Sequence, residues 1–145
     1  MKKGSRLAGI GVWLLLAALP AMAGEAHEHG AAGHQHAAGL EQKMGEIRQH
    51  FADLVEKAYF TSVLRQLKAE EYRQLAADAG AIAGYAEQVR TAFSKGEKFE
   101  RHARDLEKHA QKAAAAAGRS NLPEVNKEVG EMAEYCAKCH DGFRW

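Results

Sequence analysis

Two cysteines and a histidine near the end of the chain have a spacing that predicts specific chemistry. Cys136 and Cys139 are the only two cysteines of the sequence, and His140 follows the second directly. This C-x-x-C-H pattern is typical of covalent haem attachment, because two thiols at this spacing can add to the two vinyl groups of one haem. The histidine then stands where its imidazole can bind the iron axially. The pattern predicts one covalently bound haem c.

Other interpretations of the same three residues remain open from their spacing alone. A C-x-x-C pair can form a disulfide or a thioredoxin-like redox site, but the redox motif belongs beside a βαβ pattern, which is not visible in this sequence. A zinc site would need a fourth ligand from elsewhere in the chain. We favour haem attachment over these alternatives.

Residues 1–23 have the pattern of a secretory signal peptide. Lys2, Lys3 and Arg6 precede an apolar run over 7–19, and 21–23 forms an A-x-A cleavage signal. We expect cleavage after residue 23, export to the periplasm and no membrane anchor in the mature protein, because the apolar run is short for a bilayer. Export agrees with haem attachment. Removal of this leader leaves 17 basic against 19 acidic residues, a balance that does not indicate a nucleic-acid binder.

The next stretch, residues 24–39, is rich in histidine, glycine and alanine and contains no larger hydrophobic residue. Such a composition cannot bury enough apolar surface to fold alone, so it predicts a flexible tail. Histidine-rich tracts can also bind Zn or Cu. A periplasmic Zn- or Cu-binding protein without haem is therefore the alternative function. The histidines concerned are His27, His29, His34 and His36.

From residue 40 to residue 145, hydrophobic residues recur at steps of four and three, the period of a helix packed in a bundle. The phase slips near 61–69, and stop signals occur near 94–96 and 118–121. We predict an all-α domain, an antiparallel up-down-up-down four-helix bundle with covalently bound haem near the C-terminus. The predicted inner stripes are Leu40, Met44, Ile47, Phe51, Leu54 and Ala58; Leu75, Ala79, Ile82, Ala86, Val89 and Phe93; Phe99, Ala103, Leu106, Ala110, Ala113 and Ala117; and Val125, Val129, Met132, Cys136 and Cys139.

Several residues beside the stripes carry their own expectations. The alanine-rich third stripe indicates either close helix packing or volume left for a cofactor. Gly80 and Gly84, inside the second helix, are interpreted as sites of close approach by a helix or a ring. His102 and His109 flank the third stripe among charged residues, and we expect them to be solvated.

These features together resemble the cytochrome c′ / cytochrome c-556 family, the class II c-type cytochromes. The family pattern is a signal peptide, a four-helix bundle and C-x-x-C-H close to the C-terminus, with an aromatic residue and an arginine three and four positions later. Phe143 and Arg144 match the last two features. By this resemblance Cys136 and Cys139 would carry the haem thioethers, His140 would be the proximal iron ligand, and Arg144 would lie near that imidazole.

The resemblance also implies two alternatives for the distal side of the iron. Arg48 resembles the first-helix arginine that lies near a haem propionate. In the c-556-like branch a first-helix methionine is the sixth ligand, and Met44 is placed for it, although packing in the core is an equally good role. In the c′-like branch the sixth position stays empty beneath an apolar side chain, here Ile47 or Phe51. His50 is a third candidate on the same helix.

The predicted function is a periplasmic monohaem c-type cytochrome that transfers electrons, binds small gases such as NO or CO, or does both. We expect no enzymatic turnover, because no acid–base constellation accompanies the haem motif. The expected partners are periplasmic redox proteins or the gases themselves, with no nucleic acid and no membrane. Members of the family are often dimers, so the resemblance also makes a homodimer an expectation.

Overall fold

The computed structural model describes the backbone of residues 29–143 and the side chains of residues 38–143. Four long helices, α1 (His29–Val55), α2 (Ala69–Ala92), α3 (Glu97–Gly118) and α4 (Leu122–Phe143), account for most of this range. A π-helical turn at Glu56–Thr61 and a single α-helical turn at Ser62–Leu64 join α1 to α2. Residues 29–143 contain no strand. The predicted all-α four-helix fold is confirmed.

Helix α1 begins earlier than the hydrophobic period predicts. Its first residue is His29, so residues 29–39 of the expected flexible tail are helical. Alanine is the strongest helix former, and a helix already nucleated around buried Leu40 extends toward its N-terminus at little cost. The predicted signal peptide and residues 24–28 lie outside the described residues, as do the side chains of the tail histidines.

The helices pack in chain order. Helix α1 packs on α2, α2 on α3, and α3 on α4, as in an up-down-up-down bundle. The first helical segment consists of α1 and the π-helical turn that follows it, and α4 contacts this segment mainly at the turn. There the Tyr59 hydroxyl donates a hydrogen bond to the carbonyl oxygen of Asn126, at 2.6 Å. Toward the C-terminal end of α4, α1 and α4 make little direct contact, and the space there is important for function.

The predicted inner stripes form the hydrophobic core of the bundle. Phe99, Leu54, Leu75, Ile82 and Met132 are among its largest fully buried side chains. The contribution of α3 is mostly alanine, and these small side chains allow α3 to pack closely on both α2 and α4. Of the two interpretations of the alanine-rich third stripe, close helix packing therefore applies over most of its length.

The glycines of α2 do not make the close approach predicted for them. A methyl group added at Gly80 or Gly84 would meet no atom within 4 Å. The crowded glycine is Gly39 on α1, where an added Cβ would lie 3.1 Å from the Cε1 and Cζ atoms of Phe93. Gly39 therefore allows α1 to approach the end of α2, and the α2 glycines have no such packing role.

We expect Gly80→Ala to stabilise the protein by up to about 1 kcal/mol, because alanine has the higher helix propensity and the added methyl group clashes with nothing. Gly39→Ala should stabilise the protein less than Gly80→Ala does, or should destabilise it, because the Phe93 ring must move to make room for the added methyl group. Chemical denaturation of the two variants and the parent, all carrying their cofactor, measures both changes. Equal stabilisation at the two positions would contradict the packing described for Gly39.

Candidate functional site

A cavity of about 490 Å³ lies between the helices toward the C-terminal end of α4. Its size falls in the range of about 300–1,000 Å³ that is usual for cofactor and ligand pockets. All four helices contribute to its wall, which is mainly apolar. From α1 the wall includes Met44, Ile47, Arg48 and Phe51, and from α4 it includes Tyr135, Cys136, Cys139 and His140.

The α4 wall carries the residues of the C-x-x-C-H motif. Cys139 and His140 follow Cys136 by three and four positions, which places all three on one side of the helix. Both cysteines are free thiols, half-buried and packed against the core, whereas His140 is exposed at the mouth of the cavity. The structure therefore brings the two thiols and the imidazole to one cavity.

Burial sets the protonation of the two thiols. It raises the pKa of Cys136 to about 11, with a smaller contribution from the neighbouring Cys139 sulfur. Burial likewise raises the pKa of Cys139. Both groups are neutral thiols at neutral pH. Addition of such a thiol across a vinyl group of haem would form a thioether, because sulfur bonds to one carbon and the hydrogen ends on the other.

The α1 wall presents the residues expected on the distal side. Ile47 is buried, with 5% of its surface exposed, while Met44 and Phe51 are half-buried and pack against the edge of the core. Arg48 is exposed and lines the mouth of the cavity. Spacings of three and four place these residues along one side of α1. The predicted distal residues and the predicted haem-attachment residues thus share one cavity.

His50, another residue proposed from the sequence, does not line the cavity. The Nδ1 atom of His50 is 2.9 Å from the Oδ1 atom of Asp78, and its ring stacks on Tyr85 with centroids 5.9 Å apart. His50 is therefore directed toward α2, contrary to the suggestion that it approaches the iron. Arg144 lies outside the described residues. Phe143, just before it, packs edge-on against Phe99 at 5.2 Å.

Both histidines of α3 are less solvated than the sequence predicted. His102 lines the cavity, and neither of its ring nitrogens is exposed or hydrogen-bonded within the described part of the chain. His109 places Nδ1 2.6 Å from Oε2 of Glu128 and stacks on Tyr135 at 5.3 Å. Each histidine directly precedes a buried alanine of the third stripe. A small residue on the inner stripe lets the helix pack closely, and this brings the neighbouring residue toward the interior. The position next to a stripe alanine was therefore the sequence signal that could have predicted the burial of both histidines.

Glu128 is a buried carboxylate on α4, with 1% of its surface exposed. Burial opposes its ionisation, but the hydrogen bond with His109 and the positive charge of Lys112 outweigh burial, so the pKa of Glu128 lies below its ordinary value. The pair links α3 to α4 just beyond the cavity. Tyr135, which lines the cavity, stacks on the same imidazole.

The lowered pKa of Glu128 predicts a pH dependence of stability. A carboxylate with a lower pKa in the folded state contributes stability above its unfolded pKa, and that contribution is lost as pH falls through the folded value. We therefore expect Glu128→Gln to have a lower free energy of unfolding than the parent at pH 7. As the pH falls below about 4.5, the free energy of unfolding should decrease less in the variant than in the parent. Exposed Glu87→Gln is the control. Parallel pH profiles for Glu128→Gln and the parent would contradict the assignment.

The match to known proteins agrees with this site. A family model described as Cytochrome C′ matches residues 15–144. The chain belongs to the cytochrome c′ family. Comparisons with curated proteins and with solved structures gave no match. Proteins of this family bind covalently attached haem c, so the cofactor predicted from the C-x-x-C-H motif is confirmed, and the chain is a c-type cytochrome.

The residues present fit the cofactor of the cytochrome c′ family. A mainly apolar cavity of suitable volume suits a porphyrin ring, and the neutral, half-buried thiols of Cys136 and Cys139 line it. His140 supplies a nitrogen donor from the same helix, as haem iron requires.

Within residues 29–143, no helix is both long enough and apolar enough to cross a membrane.

Proposed function

We propose that this cytochrome c′ family member is a periplasmic electron carrier whose iron is held between His140 of α4 and Met44 of α1. The supporting observation is that Met44 lines the cavity on the α1 wall. Met132, the other methionine among the described residues, is fully buried in the core and does not line the cavity. A thioether beside an imidazole donor makes the axial pair found in electron-transfer cytochromes, where it raises the reduction potential.

Several other cavity residues have a role in this proposal. Bound haem c supplies a one-electron couple between Fe(III) and Fe(II). Cys136 and Cys139 hold the cofactor against α4 through thioethers, while Ile47 and Phe51 exclude water from the α1 side. Arg48, exposed at the mouth, places a positive charge where it can hold a propionate. The mouth also leaves an edge of the site accessible to a redox partner, and the predicted signal peptide supports a periplasmic location.

Binding of small gases is a second candidate function, and the apolar α1 wall favours it. Ile47 and Phe51, which line the cavity from α1, offer no hydrogen-bond donor from their side chains. A wall of this kind suits neutral diatomic ligands such as NO or CO better than water or anions. In that case Met44 packs against the core and does not bind the iron. Membership of the cytochrome c′ family is compatible with either function, but not with the haem-free Zn- or Cu-binding alternative.

The spectrum of the reduced protein with and without CO tests the proposed axial pair. We expect the parent to be low-spin and unchanged by CO, and Met44→Ala to become high-spin and to bind CO, because it opens the sixth coordination position. Met132→Leu removes a methionine away from the cavity and should behave as the parent does. A parent spectrum that shifts on addition of CO would instead support gas binding and leave Met44 with a packing role.

The thioether assignment has its own test in the pyridine haemochrome spectrum of protein matured with the cytochrome c assembly machinery. Cys136→Ala and Cys139→Ala should each retain haem through one thioether and show a band at longer wavelength, because one vinyl group stays unsaturated and conjugated. The double variant should release its haem on acid–acetone extraction. Unaltered parent-like bands in either single variant would contradict the assignment of that cysteine.

A further inference from the structure

His102 is a residue of the cavity wall that the proposed roles leave without a function. Its ring lines the cavity from α3, yet both Nδ1 and Nε2 are buried and lack a hydrogen-bond partner among the described residues. Leaving a buried polar group unpaired costs about 1–3 kcal/mol, so such groups nearly always have partners. An unpaired imidazole on the wall of a cofactor cavity therefore indicates a partner that the cofactor supplies.

Haem offers an imidazole two kinds of polar partner, the iron and the propionate carboxylates. In the proposed site His140 would bind the iron from α4, and the opposite axial position would face α1. Helix α3 packs directly against both α2 and α4, and the described residues show no comparable packing of α3 against α1. His102 therefore stands beside the axial line and not at its far end. From this position the imidazole would face an edge of the ring, and the propionates are the hydrogen-bond acceptors that haem carries on its edge.

We infer that a ring nitrogen of His102 donates a hydrogen bond to a haem propionate. The inference rests on the proposed placement of haem, but it does not depend on whether Met44 binds the iron. Neither nitrogen is exposed to the cavity in this structure, and rotation about the Cβ–Cγ bond, a torsion with a broad energy minimum, would turn one of them toward it. The acceptor is a carboxylate, so the bond is charge-assisted, and the apolar surroundings strengthen it further.

This hydrogen bond gives the two propionates different environments. Arg48 stands on α1 at the mouth of the cavity, where water screens its charge. His102 stands on α3 with its nitrogens shielded from solvent. A carboxylate drawn into the protein needs such a donor, because a buried charge without a partner is strongly disfavoured. His102 thus makes it possible for one propionate to be buried, and the charge of that propionate then acts on the iron.

The test compares the reduction potentials of His102→Leu, His102→Gln and the parent at fixed pH, each carrying haem. Loss of the donor leaves more negative charge on the haem, which favours Fe(III). For His102→Leu we expect a three- to tenfold shift of the Fe(III)/Fe(II) ratio, a fall of roughly 30–60 mV at about 59 mV per decade. His102→Gln keeps an N–H donor and should recover most of that fall. Gln111→Leu, exposed on the same helix, should leave the potential unchanged.

A potential that does not move in His102→Leu would overturn the inference. A change of axial ligation in the absorption spectrum of that variant would overturn it too, because it would place His102 on the iron. The pyridine haemochrome spectrum is recorded first. Protein without covalent haem contradicts the proposed function, whereas normal haem with an unmoved potential contradicts the role of His102 alone.

The unsubstituted protein provides a second measurement that does not depend on how the variants fold. Reduced protein kept under CO is low-spin and diamagnetic whether the sixth ligand is methionine or CO. With ¹⁵N-labelled histidine, we expect a slowly exchanging ring N–H of His102 with nuclear Overhauser contacts to the propionate methylene protons. A His102 ring without a protected N–H, or with contacts only to protein side chains, would overturn the inference.

Discussion

Close packing of α3 against both of its neighbours is the constraint on which the rest of the structure depends. The alanines of its inner stripe let α2 and α4 approach α3 closely. Four helices around one core cannot all pack at the same distance from one another when the inner side chains of one helix are this small. Space is left where α1 and α4 face one another, and larger side chains of α1 line that space without filling it. The cavity is thus a consequence of small residues placed on another helix.

Two histidine–carboxylate contacts reinforce the helix pairs on either side of this space. His50 and Asp78 link α1 to α2, and His109 and Glu128 link α3 to α4. In both pairs the carboxylate is almost fully buried and the imidazole stacks on a tyrosine. The two pairs hold α1 on α2 and α4 on α3, so that the cavity wall is built from two firmly joined halves. In the proposed site a cofactor held by both α4 and α1 would bridge those halves.

Much of the fold and of the α4 side of the site could be predicted from the sequence, because both follow from helical period. The same steps of three and four that bury Val125 and Met132 also bring Cys136 and Cys139 to the cavity. The phase slip near residue 61 was also visible, and the π-helical turn at Glu56–Thr61 is its structural cause, since the wider turn breaks the α-helical register. Period could not show the partners of His50 and His109 or the burial of the His102 nitrogens, because those depend on distances between helices. The start of α1 at His29 was not predicted either. Composition alone does not show that a helix nucleated near residue 40 extends toward its N-terminus.

The hydrogen bond from Tyr59 to the Asn126 carbonyl joins α4 to the first helical segment at the end of the bundle remote from the C-x-x-C-H motif. Tyr59 thus joins the two sides of the bundle at that end, whereas at the other end the cavity separates α1 from α4. In the proposed site the cofactor would supply, near the C-terminal end of α4, the connection that the protein itself makes only at the π-helical turn.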